Sequence, residues 1–204
     1  MKKLLALLLM LTLAFALVAC GDDPVDPVDP EPTPEEIFAA KVNEFSTAVA
    51  ATSPTTSTIT VKSENADYGE LNATFNVTYN EDGSITVNYS VDRLGESIDE
   101  DFIVTETGTV TCDKDGNYVS GTDFSGTVSA PTVFTINLDL FENIRIEGAS
   151  LFGKVSAANT AAAIGVELDT DANVVVVKNA GKITAMVASY EKNGTTVTIN
   201  CDFN

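Results

Sequence analysis

The chain has 204 residues and a formal net charge of −19, from 30 acidic side chains against 11 basic ones. A balance that negative repels nucleic acid and anionic lipid head groups, so it excludes binding to either through charge. Histidine and tryptophan are absent, which removes Ser-His-Asp and Cys-His catalysis, the commonest zinc ligand and the largest stacking platform.

Met1-Lys2-Lys3 is a short positive start, and Leu4 to Val18 is apolar apart from Thr12. Basic residues, an apolar run of this length and the small Ala19 before Cys20 read as an export signal, too short for a membrane span. The ending Leu17-Val18-Ala19-Cys20 resembles the lipobox of bacterial lipoproteins, in which the cysteine is acylated and becomes the first mature residue. That resemblance implies a signal peptide over residues 1–19 and lipidation at Cys20. It also implies anchoring to a bacterial cell membrane on the side away from the cytoplasm, at the cell surface or in the periplasm. Loss of Lys2 and Lys3 takes the net charge from −19 to about −21. Residues 20–35 then form a tether: GDDPVDPVDPEPTPE after the cysteine is too rich in proline for helix or sheet. At roughly 3 Å per residue it holds a domain on the order of 45 Å from the bilayer.

The domain is expected over residues 36–204. Thr33-Pro34-Glu35-Glu36 has a capping threonine, a proline where its missing N–H is harmless, and a glutamate that completes a capping box. Phe38, Val42, Phe45 and Val49 recur at helical spacing, widened by Ile37 and Ala48, until Ser53-Pro54 stops the helix. One apolar stripe requires a sheet to lie on.

Period-two alternation follows. Ile59 and Val61 alternate with Thr60 and Lys62, and Leu71, Ala73, Phe75, Val77 and Tyr79 alternate with polar residues. After Asn80-Glu81-Asp82-Gly83 the pattern resumes at Ile85, Val87, Tyr89 and Val91, which marks a hairpin with one buried face. Phe102, Val104, Val110 and Cys112 keep one parity, with Gly108 as a bulge. A turn at Asp113 to Gly116 leads to a strand from Tyr118 to Phe124. Past Pro131, Phe134, Ile136, Leu138 and Leu140 alternate as a further strand, followed by a short one at Ile144 and Ile146. Gly181 turns Val174–Lys178 into Ile183–Tyr190, and Asn193-Gly194 turns into the last strand, with Val197, Ile199, Cys201 and Phe203 on one side. Between these, SAANTAAAIG at 156–165 has a cap residue, an alanine run and a closing glycine, so a second short helix is expected there. Its small side chains allow close packing on the sheet, or room beside it for a ligand.

The chemistry on offer is sparse. Asp113, Asp115 and Asn117, the stretch Asp99 to Asp101, and Asp169 with Asp171 lack the spacing of a calcium loop, and the first fits a hairpin turn. No carboxylate pair is nominated for glycoside hydrolysis, and the glycines are scattered singly. The chain therefore calls for no catalytic residue, no metal and no cofactor, and is read as non-enzymatic. Cys112 and Cys201 share the inward parity: a disulfide joins them if their strands are neighbours, and otherwise they are small buried hydrophobes.

The fold class expected is mainly β (α+β), a curved antiparallel meander with both helices on its concave face. The order of N-terminal helix, one-sided sheet and late short helix resembles the unclosed β-barrel of LolA/LppX-like lipoproteins. Gly153-Lys154-Val155, Val174–Val177, Gly181-Lys182-Ile183 and Val197-Thr198-Ile199 look like the C-terminal part of the LppX/LprG group. The resemblance implies an apolar hollow that takes acyl chains, lined by Phe75, Val77, Tyr79, Ile85, Val87, Tyr89, Phe134, Ile136 and Leu138. The chain departs from that group in lacking tryptophan, in its acidity and in its long tether, which fit a fixed module better than a carrier. Two functions follow as expectations: a lipid or hydrophobic-ligand binder at the envelope, or a surface module with a filled core that holds protein or polysaccharide. Neither the ligand nor an oligomeric state is legible.

Overall fold

Among the described residues the alternation resolves into ten strands and two α-helices. A computed structural model describes residues 31–65, 69–96, 101–115, 117–121 and 133–204. Cys20, the signal, most of the proline-rich stretch and the segment 122–132 lie outside them. Helix α1 (Pro34–Ala50) precedes β1 (Thr56–Asn65), β2 (Gly69–Tyr79), β3 (Ile85–Glu96), β4 (Asp101–Cys112) and the short β5 (Tyr118–Gly121). Strands β6 (Glu142–Glu147) and β7 (Ser150–Val155), helix α2 (Thr160–Ile164), then β8 (Ala172–Asn179), β9 (Lys182–Lys192) and β10 (Thr195–Phe203) complete the order.

All ten strands form one antiparallel sheet in the order β5-β4-β3-β2-β1-β10-β9-β8-β7-β6, not closed into a barrel. It consists of two five-strand meanders joined where the first strand meets the last, Ile59 opposite Cys201 and Val61 opposite Ile199. The β2–β3 hairpin is one-sided as its alternation requires. Ala73, Phe75, Val77, Ile85, Val87, Tyr89 and Val91 are buried, whereas Asn76, Thr78 and Asn88 are exposed. Gly108 is not a bulge. Strands β3 and β4 stay in unbroken register from Glu96–Asp101 to Ile85–Cys112, and Gly108 faces Tyr89. A Cβ at Gly108 would lie 2.6 Å from Tyr89 Cζ, so the glycine is the space into which the ring fits.

The expected strand at Phe134–Leu140 does not form. Residues 133–137 join no ladder, with Asn137 in extended backbone, and Leu138–Leu140 is a single 3₁₀ turn. Ile136 and Leu138 are nevertheless buried. Asn137 N–H donates to Ala163 O at 2.9 Å, which ties this strap to α2. Period two reports an extended chain with one covered side, and the strap meets that condition by lying on other elements. Gly165 ends α2 with φ +74°, its N–H donating to Ala161 O at 3.0 Å. A Cβ there would meet Val133 O at 3.1 Å and Thr135 Cβ at 3.2 Å, so glycine serves both the turn and the close approach of the strap. Ser156 makes no side-chain cap bond. Thr160 holds this corner, its hydroxyl accepting from Leu168 N–H at 2.9 Å and donating to Ala157 O at 3.1 Å.

Helix α1 covers the sheet with its C-terminal half alone. Phe45 and Ala48 are buried, whereas Ile37 and Phe38 are 44% and 43% exposed. Two contacts pin that half. Thr52 Oγ1 donates to Ala48 O at 2.6 Å and accepts from Ile183 N–H at 2.8 Å. Lys178 Nζ sits 4.8 Å from the Phe45 ring centroid and pairs with Glu44. A register shift at Val177/Lys178 brings Ile183 opposite Lys178, which turns both toward the helix.

Candidate functional site

The nine side chains expected to line a hollow all belong to, or pack against, one hydrophobic core. Six form three cross-strand pairs on the inner face of β2 and β3: Phe75–Tyr89, Val77–Val87 and Tyr79–Ile85. Such pairs are the packing unit of an antiparallel sheet. Phe134, Ile136 and Leu138 approach from the strap, and Phe134 meets Phe203 edge to face with centroids 4.9 Å apart. Tyr79 is half-buried, its hydroxyl 3.2 Å from Ser57 Oγ. Burial raises its pKa above the ordinary phenol value, and the Ser57 contact opposes this.

Three of the nine reach an opening. Tyr79, Ile85 and Phe134 line a cleft of about 330 Å³ together with Val133, the α1–β1 connection Thr52-Ser53-Pro54, the turn residues Asn80, Gly83 and Ser84, and Lys114. The other six, Phe75, Val77, Val87, Tyr89, Ile136 and Leu138, do not line it. The cleft's rim is polar for local reasons. Asp82 accepts from Ser84 N–H at 2.9 Å and Ser84 Oγ at 2.7 Å, and Asn80 Nδ2 donates to Ser84 Oγ at 2.9 Å. Asp113 accepts from Asn117 Nδ2 at 3.0 Å and from Asn117 N–H and Asp115 N–H, each at 2.9 Å. These bonds draw the Asp82 and Asp113 carboxyls below their ordinary pKa and shape the turn that carries Lys114. The cleft therefore has an apolar floor, a rim of hydroxyl and amide groups and one ammonium. It can exclude water from an apolar group and hydrogen-bond a polar end.

A second depression, of about 500 Å³, lies among Lys154, Asp171, Asn173, Ser189, Tyr190 and Glu191. Two of its charges are already matched: Lys154 Nζ is 2.8 Å from Asp171, which also accepts from Ala157 N–H at 3.0 Å. That partnership lowers the Asp171 pKa and raises that of Lys154. Among the described residues no three His, Cys, Asp or Glu side chains gather to hold a metal.

Cys112 and Cys201 are both buried and free. The disulfide required neighbouring strands, and β4 and β10 are separated by β3, β2 and β1. At about 4.8 Å per strand that separation exceeds what a disulfide spans. Burial pushes the Cys112 thiol up, and pushes that of Cys201 up to about 12.

No protein-family model matches the chain, and no curated protein matches it in sequence. Solved structures do resemble it. LprF from Mycobacterium bovis is 17% identical, with a TM-score of 0.44 over 84% of this chain and 93% of that one. The dehydratase domain from the CurF module of curacin polyketide synthase is 7% identical, with a TM-score of 0.22 over 78% of each chain. Likenesses at these scores leave the fold resting on the strand ladder itself. Sequence reasoning missed Thr52, Ser53, Asn80, Ser84, Lys114 and Val133 as neighbours of the opening. All six lie in turns or connections, where no periodicity marks a side chain as facing a cleft.

Proposed function

We propose that this protein is an envelope lipoprotein that binds a lipid or another hydrophobic ligand without transforming it. The observation that supports this reading is the cleft at Tyr79, Ile85 and Phe134. Its volume of about 330 Å³ falls within the range of small-ligand sites, roughly 300–1,000 Å³, and its Tyr79–Ile85 floor adjoins the inner-face pairs Val77–Val87 and Phe75–Tyr89. An acyl chain would enter between Phe134 and Ile85, with its polar end left at Asn80, Ser84 and Lys114.

In the same reading residues 1–19 are the signal and Cys20 carries the acyl groups. Residues 20–35 are the tether, and residues 36–204 bind. Acylation with a diacylglycerol supplies two chains, enough for stable anchoring where one chain is not. Among the described residues no helix is long and apolar enough to cross a membrane.

The test uses the mature chain, kept soluble by Cys20→Ala and purified from its own host. Native mass spectrometry should show a co-purifying lipid, and a fluorescent fatty acid should bind and be displaced by it. Ser53 is exposed at the cleft, so Ser53→Trp should fill the opening and abolish that binding while the protein stays folded. A bare polypeptide mass with no fatty-acid binding overturns the proposal.

A further inference from the structure

The outer face of the first meander carries a pattern the cleft does not explain. Strand register places Thr111, Thr86, Thr78 and Thr56 in one row across β4, β3, β2 and β1. The next row is Thr109, Asn88, Asn76 and Thr58, and the third is Thr107, Ser90, Thr74 and Thr60. Every outward position in this block is Thr, Asn or Ser. The charged side chains Asp92 and Lys62 begin only in the adjoining row, and Asp202 on β10 beyond Thr58.

Threonine favours strands for steric reasons, and that alone would account for some of it. A wet face serving solubility in a chain of net charge −19 would also carry acids, and on this face Glu64, Glu70, Asp92 and Asp202 all stand outside the block. The groups are fixed as well as uncharged. Thr109 Oγ1 donates to Asn88 Oδ1 at 2.7 Å and Thr58 Oγ1 to Asn76 Oδ1 at 3.3 Å. Each such bond leaves the hydroxyl its acceptor lone pairs and the amide its N–H₂ donors. With rows about 6.8 Å apart and strands about 4.8 Å apart, the block measures about 14 Å each way.

We propose that this face binds a neutral polysaccharide. Hydroxyl groups on a sugar are donors and acceptors at once, and so are the threonine and asparagine side chains opposite them. An ionic polymer finds no counter-charge here. A protein partner finds none of the aromatic or aliphatic side chains that form the core of an interface. Individually weak hydrogen bonds are multiplied along a polymer that engages many of them together. This surface lies on the opposite side of the sheet from the cleft, so the proposal does not depend on lipid binding.

Affinity electrophoresis of the soluble mature chain through gels containing dextran, starch or mannan should retard it. Gels containing polygalacturonate or chitosan should not. The triple variant Thr60→Val, Thr74→Val and Thr107→Val keeps β-branched shape while removing hydroxyls, and should weaken retardation by about tenfold. Asn76→Lys, at an exposed site, should do the same through charge and desolvation if the triple variant fails to fold, with circular dichroism melts as the control. The proposal is overturned by no retardation on any neutral glycan, by equal retardation on charged ones, or by full retention in a folded variant. Inhibition of ice recrystallisation without glycan binding also overturns it, in favour of an ordered-water surface.

Discussion

Tyr89 and Gly108 show how one residue's identity is set by its cross-strand partner. The ring occupies the volume that any side chain at Gly108 would need, with Cε1 2.8 Å and Cζ 2.6 Å from a Cβ placed there. Gly108→Ala should therefore destabilise the fold by about 1–3 kcal/mol, seen as a lower urea midpoint at unchanged slope. Cys201 gives a second residue-level expectation. Burial, and after it the Asp202 charge, lift its thiol from 9.0 to about 12. Above pH 9 the unfolded chain loses this proton while the folded chain keeps it. The stabilisation is thus complete below pH 9 and lost as pH rises toward 12. Urea titrations from pH 8 to 11 should show the wild type losing stability faster than Cys201→Ala, and Ellman's reagent at pH 8 should label Cys201 only on unfolding. Sequence marked Gly108 as a bulge, which the unbroken β3–β4 register overturns. Its partner was not legible, because register across strands depends on the pairing and not on the strand's own letters.

At the level of elements, α1 and the strap separate pattern from coverage. The stripe Phe38, Val42, Phe45, Val49 identifies the apolar face of α1 correctly, yet a helix stripe says nothing about how far the sheet extends beneath it. Phe45→Ala should cost about 3–5 kcal/mol and raise amide exchange through α1. Phe38→Ser should change stability by no more than about 0.5 kcal/mol, and an equal loss from both would show the entire stripe to be core. The strap is the converse case. Its alternation at Phe134, Ile136 and Leu138 is real, but the neighbours are α2 and the sheet's inner face, so burial is achieved without a ladder. Strand β7, by contrast, has no clean alternation in SLFGKV. Gly153 interrupts it because Phe141 fills the space, 2.8 Å from where a Cβ would stand.

For the molecule as a unit, the decisive contact is β1 against β10. Thr56 O accepts from Asn204 N–H at 2.9 Å, and Asn65 Nδ2 donates to Thr195 Oγ1 at 2.8 Å. Among the described residues this ladder leaves β5 and β6, consecutive strands in the chain, at the two ends of the sheet. The proposed anchor also belongs to this scale. Cys20→Ala should move the protein from the membrane to the soluble fraction, and globomycin should leave the signal attached. A chain of unchanged size under globomycin that also stays in the membrane after Cys20→Ala would replace the lipid anchor with a spanning segment.

Local letters by themselves determined the turns at 80–83, 113–116, 181 and 193–194, which side of the β2–β3 hairpin is greasy, and that the chemistry excludes histidine-based catalysis. Those features depend on residues near one another in sequence, through side-chain period and turn geometry. The tertiary structure alone decided the β1–β10 closure, the separation of Cys112 from Cys201, and which three of nine apolar side chains meet an opening. It also aligned the threonine rows into a surface. Each of these is a juxtaposition of segments distant in the chain, and side-chain period describes a strand's faces without naming the strand beside it.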